Sequence, residues 1–290
     1  MASLNCDLQS LAQVVRSVSQ NTLLPHFGRS TSRQKDDGSI VTELDLAMQQ
    51  GLTVALERLM PGVPLLGEEM PVEQQQELFA KREAGLWCLD PLDGTSNYVS
   101  GIPFYSVSLA LLGSDGPTCG LVYDPVRDEL FSAVKGEGAR LNGERWVSLH
   151  TDLALAECIA IIDTKRLGVE WAPLLIDAPF RSQRCFGSGA LEWCWLAAGR
   201  GQIYLHGRHQ LWDYAAGWLI LNEAGGCART FGGSREFATD LVPRSIAAAS
   251  NRPLFEEMWC WLRSHRVVRP AGSMGRSRFR GTATVGIMDD

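Results

Sequence analysis

Apolar and polar positions in the first sixty residues recur with the period of a helix. Apolar side chains spaced three or four residues apart form one face of such a helix. Two such faces are present, made of Leu8, Leu11, Val15 and Val18, and of Leu44, Met48, Leu52, Ala55 and Leu59. The sequence therefore predicts two amphipathic helices, joined by a polar loop, "RQKDDGSIVTELD".

After residue 86 the pattern changes to short apolar runs of the length of strands. These runs are "LWCLD", "YSVSLALL", "TCGLVYD" and "ELFSAVKG", and turn clusters such as "GSDGP" and "DPVRDE" separate them. Short runs bounded by Gly, Pro and Asp are typical of strands joined by tight turns. We predict an antiparallel sheet that packs against the two helices.

From about residue 150 the predicted strands and helices alternate. Four strands ("CIAII", "QRCF", "QIYL" and "SIAAA") are each followed by a helical pattern. Such alternation favours an α/β sheet with helices on its faces. We divide the chain into an α+β half, residues 1–147, an α/β half, residues 148–269, and a Gly-, Ser- and Arg-rich tail, residues 270–290.

Composition narrows the possible partners and location. The chain has 290 residues, 45% of them hydrophobic, which is enough for a full core. A net charge of -6 argues against a nucleic acid polymer as partner, since phosphate backbones are met by basic surfaces. Eight cysteines without a C-x-x-C pair indicate reduced thiols and a cytoplasmic protein. No apolar stretch is long enough to predict contact with a membrane.

Candidate chemistry lies in "WCLDPLDGTSNY", which ends an apolar strand with Asp90 and Asp93. Two carboxylates about 4 Å apart repel each other by roughly 4 kcal/mol at an effective dielectric constant near 20. A hard cation such as Mg²⁺ or Mn²⁺ would remove that repulsion. The following residues, Gly94, Thr95 and Ser96, are typical of a turn into a helix, whose free amides bind anions. Together these features predict a site of phosphoryl transfer.

Two further acidic positions are less specific when each is taken alone. Glu68 and Glu69 follow the apolar run "VPLL" and have the pattern of a solvated turn. Asp213 in "LWDYAAGWLILNEAGG" stands where a helix begins, and aspartate is a favoured N-cap. The pattern places the end of that helix at Gly225 and Gly226.

Taken together, "GEE", "WCLDPLDGTSNY" and "LWDYAAGWLILNEAGG" resemble the three sequence signatures of the inositol monophosphatase family. Its members are magnesium-dependent, lithium-sensitive phosphatases of the inositol monophosphatase and fructose-1,6-bisphosphatase type. The resemblance extends over nearly the whole chain apart from the tail. It implies a layered αβαβα sandwich, with the C-terminal half closing a site on the N-terminal half. It also implies that a homodimer is possible.

The resemblance implies a role for each residue of the acidic segments. The metal ligands would be Glu68, Asp90, the carbonyl of Leu92, Asp93 and Asp213, around two or three Mg²⁺ ions that Mn²⁺ can replace. Catalysis would fall to Glu68 and Thr95, which activate a water, and to Asp45, which hydrogen-bonds Thr95. No covalent enzyme intermediate is needed.

For the substrate, a small phosphorylated metabolite, the resemblance implies a second group of contacts. These are Gly94, Thr95, Ser96, Gly187, Ser188, Gly189, His206 and Asp213. Inositol phosphate phosphatases of the family carry an acidic residue seven positions before this aspartate, and here that position is His206. Arg208 and His209 add donors that suit a second phosphate. "KDDGSIVT" also resembles the same loop in nucleotide and histidinol phosphate phosphatases.

Several functions therefore stay open. The first is hydrolysis of a small phosphomonoester such as an inositol or sugar phosphate. On the same fold the alternatives are 3'(2'),5'-bisphosphate nucleotidase, fructose-1,6-bisphosphatase and histidinol-phosphatase activity. A binding or regulatory protein without catalysis, and a structural cation site without turnover, are the other classes.

Overall fold

The computed structural model describes residues 7–35, 40–146, 153–234, 237 and 240–265. Cys6, residues 36–39 of the "KDDGSIVT" motif and the tail at 270–290 lie outside these residues. In the described part the helices are α1 (Leu8–Thr22), α2 (Glu43–Leu59), α3 (Val72–Ala80), α4 (Thr95–Val99), α5 (Thr164–Leu167), α6 (Ala172–Ile176), α7 (Gly189–Ala197), α8 (Leu211–Glu223) and α9 (Arg252–Ser264). None of them is long and apolar enough to cross a membrane.

The strands form two large sheets and one small ribbon. They are β1 (Ser32–Gln34), β2 (Ile40–Thr42), β3 (Leu65–Gly67), β4 (Leu86–Asp93), β5 (Ser106–Gly113), β6 (Gly116–Asp124), β7 (Glu129–Val134), β8 (Ala139–Leu141), β9 (Glu144–Arg145), β10 (Ile159–Ile162), β11 (Ser182–Arg184), β12 (Ile203–His209), β13 (Cys227–Thr230) and β14 (Arg244–Ala249). Strands β1 and β2 pair with each other as the ribbon.

The first sheet runs in sequence order from β3 to β9. Strands β3 and β4 are parallel, and each later pair is antiparallel. Its alternating side chains serve two cores: Trp87 and Leu89 face α1 and α2, while Cys88 faces α7 and α8. The predicted antiparallel sheet against two helices is confirmed. The apolar face of α2 differs from the predicted one at one position, because Leu56 is buried whereas Leu59 is 38% exposed.

The second sheet has the order β11-β10-β12-β14-β13. Strands β10, β11 and β12 are parallel, as alternation with helices predicts, whereas β14 is antiparallel to both β12 and β13. One face of this sheet packs on α7 and α8, and the other packs on α9 and on the α5–α6 region. The layers therefore follow the order αβαβα, which confirms the predicted fold class.

Helices α7 and α8 are buried on nearly all sides because they lie between the two sheets. The start of α8 and the loop before α7 thus lie beside the end of β4. The division at residues 147 and 148 stays a prediction, since residues 147–152 are not among those described.

Candidate active site

The end of β4 carries the first pair of carboxylates. Asp90 is 2% exposed, and the register with β5 shifts between Asp90, opposite Ser108, and Asp93, opposite Ser106. Asp90 Oδ1 accepts a hydrogen bond from Leu92 N at 3.0 Å, and this bond stabilises a turn directly after Asp90. This turn brings Asp93 to the same end of the sheet, as the sequence predicts.

Two acids from distant segments join this pair. Glu68 follows β3, and its amide bonds to the carbonyl of Leu89 on β4 at 3.1 Å. Burial and the neighbouring carboxylates raise the pKa of Glu68 to about 7 and that of Asp93 to about 6. Burial also raises the pKa of Asp213 to about 6, and that of Asp90 well above its usual value. The four groups form one acidic cluster of Glu68, Asp90, Asp93 and Asp213.

The position of Asp213 within α8 corrects one expectation. Gln210, not Asp213, is the N-cap of this helix. Asp213 lies three residues further on, and its Oδ2 accepts the Gln210 amide at 2.9 Å, as an acidic residue in a capping box does. The local sequence thus indicated the right helix end but the wrong role at that end. The end of α8 agrees with the prediction, since Gly225 follows it with φ of +89°.

Thr95 connects the acidic cluster to the first turn of α2. Its Oγ1 donates to the carbonyl of Leu92 at 2.9 Å and lies 3.4 Å from Asp45 Oδ1. Asp45 Oδ2 in turn accepts from the amide of Thr42 at 2.7 Å and from its hydroxyl at 2.6 Å. The predicted neighbours Asp45 and Thr95 therefore meet, while Thr95 makes its shorter bond to Leu92.

Gly94 makes the turn from β4 into α4. Its φ of +89° is in the left-handed region, which a residue with a side chain adopts only under strain. A Cβ here would also lie 3.1 Å from the carbonyl oxygen of Gly187. The predicted turn from strand to helix is present, and Ser96 lies exposed in the first turn of α4.

The loop before α7 holds Asp93 from the other side. Ser188 Oγ donates to Asp93 Oδ2 at 2.6 Å, and the amides of Gly189 and Ala190 donate to the same carboxylate at 3.2 and 2.8 Å. Ser188 is 0% exposed, so its hydroxyl serves Asp93 rather than the surface. A glycine at position 189 also leaves space for the His209 ring, because a Cβ there would lie 3.0 Å from it.

His206 and His209 stack at the end of β12 with ring centroids 3.6 Å apart. His209 Nδ1 lies 3.6 Å from Asp213 Oδ2, and its Nε2 is 2.8 Å from the Tyr204 hydroxyl. His206 Nε2 lies 3.5 Å from Asp163. Burial lowers the pKa of both histidines well below the usual range, so both rings are neutral. Arg208 is exposed, with φ of +58°.

Several residues that surround the acidic cluster were not predicted from the sequence. Lys35 Nζ donates to Glu68 at 2.8 Å and to Glu69 at 2.6 Å, so one ammonium group joins both glutamates of "GEE". Lys35 stands in a polar loop without a periodic pattern, and nothing in the sequence relates it to Glu68. Further polar residues near the site, which reach it only through tertiary packing, are Asn97, Ser106, Asp163, Glu192 and Tyr204.

The donor set suits a hard divalent cation. Carboxylate and carbonyl oxygens are the ligands such ions take, and a cation would relieve the repulsion that raises the pKa values of the cluster. Among the residues that the structure describes, however, no group of three His, Cys, Asp or Glu side chains is positioned to hold a metal ion. The carboxylates accept hydrogen bonds from Lys35, Ser188 and backbone amides instead.

Comparisons with known proteins agree with this geometry. The model of the inositol monophosphatase family matches residues 2–265. A Nus factor SuhB from Pasteurella multocida is 37% identical over 75% of this chain and 84% of its own length. Inositol monophosphatase 1 from Solanum lycopersicum is 37% identical over 74% of this chain and 80% of its own.

A solved Thermotoga maritima IMPase has a TM-score of 0.74 and 28% identity, and the match covers 89% of this chain and 98% of that one. The fold, the sequence signatures, inositol monophosphatase 1 and the T. maritima IMPase indicate the same enzyme class. The chain belongs to the inositol monophosphatase family and is a phosphatase that hydrolyses phosphomonoesters.

Proposed function

We propose that this protein hydrolyses a small phosphomonoester by Mg²⁺-dependent attack of water, without a covalent enzyme intermediate. The observation that carries the proposal is the acidic cluster beside the Gly94 turn. Three of its pKa values are raised to between about 6 and about 7. Unaided phosphomonoester hydrolysis is among the slowest known reactions, so strong electrostatic stabilisation is required.

We assign metal binding to the side chains of Glu68, Asp90, Asp93 and Asp213 and to the Leu92 carbonyl. The site would take two or three Mg²⁺ ions, with Mn²⁺ as a substitute. When bound, such ions supply positive charge for the phosphate oxygens and make a water molecule more acidic.

The chain's own groups would carry out the remaining tasks. Glu68 would take the proton from the attacking water. The Thr95 hydroxyl, held between Leu92 and Asp45, would orient that water. The free amides of Gly94 and Thr95 at the start of α4 would hold the phosphate group.

For the alcohol part of the substrate we favour a polyol or sugar monophosphate. Burial lowers the pKa of His206, so this ring offers hydrogen bonds to hydroxyl groups rather than positive charge to a second phosphate. His209 is 0% exposed and contacts Tyr204 and Asp213 instead. This supports an inositol monophosphate-like substrate over a nucleotide bisphosphate or fructose 1,6-bisphosphate, while histidinol phosphate, with a single phosphate, stays an alternative. The loop of Gly187, Ser188 and Gly189 would form the opposite wall through its backbone.

A binding role beside catalysis is the second candidate, and the name Nus factor of the similar P. multocida protein supports it. We also propose a homodimer and a cytoplasmic location, as predicted from the family resemblance and the cysteines.

Phosphate release from a panel of phosphomonoesters and bisphosphates, with Mg²⁺ and with a chelator, tests the catalytic proposal. We expect hydrolysis of polyol phosphates that the chelator and Asp93→Asn each abolish. Asp124→Asn is the control, because it makes the same change at a buried aspartate outside the cluster. Activity that survives both treatments would refute the metal mechanism.

The substrate proposal is tested on the same panel. A carboxylate in place of His206 would accept hydrogen bonds from hydroxyl groups and repel a second phosphate. His206→Glu should therefore shift the preference further toward polyols while Mg²⁺ dependence stays intact. Faster turnover of a bisphosphate than of any polyol phosphate by the unmodified protein would favour the alternative substrates.

A further inference from the structure

The segment at residues 186–190, called the clamp loop below, consists of the end of the connection from β11 and the first two residues of α7, and it contacts the acidic cluster. Three of its residues, Ser188, Gly189 and Ala190, donate hydrogen bonds to Asp93 at 2.6, 3.2 and 2.8 Å. The carbonyl of Gly187 also lies against the Cα of Gly94. The orientation of the Asp93 carboxylate therefore depends on where this loop sits.

Glu192 in the first turn of α7 holds the other end of the clamp loop. Its side chain is buried, with the residue 2% exposed, and its Oε1 accepts the amides of Phe186 at 2.8 Å and Gly187 at 3.0 Å. Burial raises the pKa of Glu192 to about 8. A buried carboxyl group that accepts two loop amides holds both of these amides in fixed positions.

Asn97 on α4 holds the same loop from the first half of the chain. Its Nδ2 donates to the carbonyl of Phe186 at 2.6 Å and to that of Phe104 at 2.8 Å. The backbone of Phe186 is thus hydrogen-bonded at its amide to Glu192 and at its carbonyl to Asn97. Gly187, with φ of +84°, follows directly and turns the chain toward Asp93.

We propose that Glu192 is a positioning residue for metal binding, which acts by fixing the clamp loop so that the loop's three donors orient Asp93. This inference rests on the proposed function, because it takes Asp93 as a metal ligand. Groups that orient metal ligands from behind commonly change metal affinity 10–100-fold when they are removed. A single carboxylate in the second half of the chain thereby controls a ligand in the first half.

Calorimetric titration of the full chain with Mg²⁺ alone is the direct test, since it does not depend on turnover. Glu192→Leu removes both acceptors and should weaken Mg²⁺ binding by about tenfold or more. Glu192→Gln keeps one oxygen that can accept both amides, and it should stay within about threefold of the unmodified protein.

Glu223→Leu is the matched control. Glu223 also accepts two loop amides, those of Gly136 and Gly138, both at 2.8 Å, but it lies outside the acidic cluster. Its loss should leave Mg²⁺ affinity unchanged even where thermal stability falls. An equal loss of affinity in Glu223→Leu would show that destabilisation alone explains the effect and would overturn the proposal.

Two more variants keep the test decisive. If Glu192→Leu fails to fold, Asn97→Ala removes another contact to the clamp loop without changing a buried acid, and it should also weaken Mg²⁺ binding.

Asp93→Asn separates the two proposals: if this variant binds Mg²⁺ normally, the proposed metal site is refuted. If Asp93→Asn loses Mg²⁺ while Asn97→Ala and any folded Glu192→Leu keep it, only the role of Glu192 fails. Equal losses in Glu192→Gln and Glu192→Leu would also refute it.

Discussion

Two Asp-Pro turns lie at the ends of β4 and β6, and they carry residues of opposite charge three positions after the aspartate. Asp90 at the end of β4 accepts the amide of Leu92 at 3.0 Å, and Asp124 at the end of β6 accepts the amide of Val126 at 2.9 Å. Both aspartates are buried, with exposures of 2% and 0%. Three residues after the first stands Asp93, whereas three residues after the second stands Arg127.

This difference separates a structural turn from a chemical one. Arg127 Nη1 donates to Asp124 Oδ2 at 2.8 Å, so the second turn neutralises its own charge. In the first turn a second acid stands at that position, and Glu68 and Asp213 add two more carboxylates. A fold does not gain stability from four neighbouring acids, so the β4 turn is suited to binding an external cation.

Asp93→Asn should have the largest effect. It removes one ligand of the proposed metal site, and we expect phosphatase activity to fall by about a hundredfold or more. The metal-free protein should be no less stable than the unmodified one, because one of the repelling charges is gone. Phosphate release and thermal unfolding with a chelator measure both. A large loss of stability without loss of activity would show that Asp93 has a structural role in the β4 turn and not a role in metal binding.

The pH dependence of metal-free stability is the second test. The pKa of Glu68 rises from its usual 4.5 to about 7, and the pKa values of Asp93 and Asp213 rise from 3.8 to about 6. Acids with raised pKa values bind protons more tightly when folded, so their stabilising effect is complete below about pH 4. It is lost as the pH rises through about 6 and 7.

These acids favour the folded state more at pH 5 than at pH 8, whereas the buried His206 and His209, whose pKa values are lowered, favour it more at pH 8. In urea unfolding with a chelator, the stability of the unmodified protein relative to Asp93→Asn should therefore fall from pH 5 to pH 8, by on the order of 1 kcal/mol. Mg²⁺ should stabilise the unmodified protein more at pH 8 than at pH 5, since it binds the ionised carboxylates. A rise of that relative stability from pH 5 to pH 8 would contradict the raised pKa of Asp93.

Asp124→Asn should show the opposite division of effects. The amide keeps one acceptor for the turn but loses the charge that Arg127 pairs with, and we expect a loss of about 1–3 kcal/mol in the free energy of unfolding. Activity per folded molecule should stay unchanged. Urea unfolding and phosphate release, compared with Asp93→Asn, measure the contrast between the two turns.

Arg127→Met should have the smallest effect. The Arg127 side chain is 35% exposed, and without its guanidinium the buried Asp124 still accepts the amides of Val126 and Arg127 at 2.9 and 3.1 Å. We therefore expect a loss of about 1 kcal/mol. The methionine also keeps apolar cover near Trp195, over which Arg127 lies at 5.3 Å. Thermal unfolding should show a small decrease at low salt and a smaller one at high salt. A loss of activity in this variant would mean that the β6 turn also takes part in function.

Most of the fold follows from patterns within short windows. Strands β4 to β7 alternate apolar residues between bounded turns, and α1, α2 and α9 carry clear apolar faces, so each was predicted. Helix α3, with "VEQQQELFA", and strand β13, with "CART", were missed, because neither has a marked period. Their structure depends on packing: β13 pairs along β14, and Phe79 of α3 enters the core.

Within the site, the sequence by itself determined the β4 turn. Asp90, Asp93 and the left-handed Gly94 lie within a few residues, and their conformations follow from local hydrogen bonds and sterics. Only the tertiary structure decided what surrounds that turn. Lys35 meets Glu68 across 33 positions of sequence, and Ser188 meets Asp93 across 95. Such contacts depend on how the layers stack, since no local interaction relates residues so far apart in the chain.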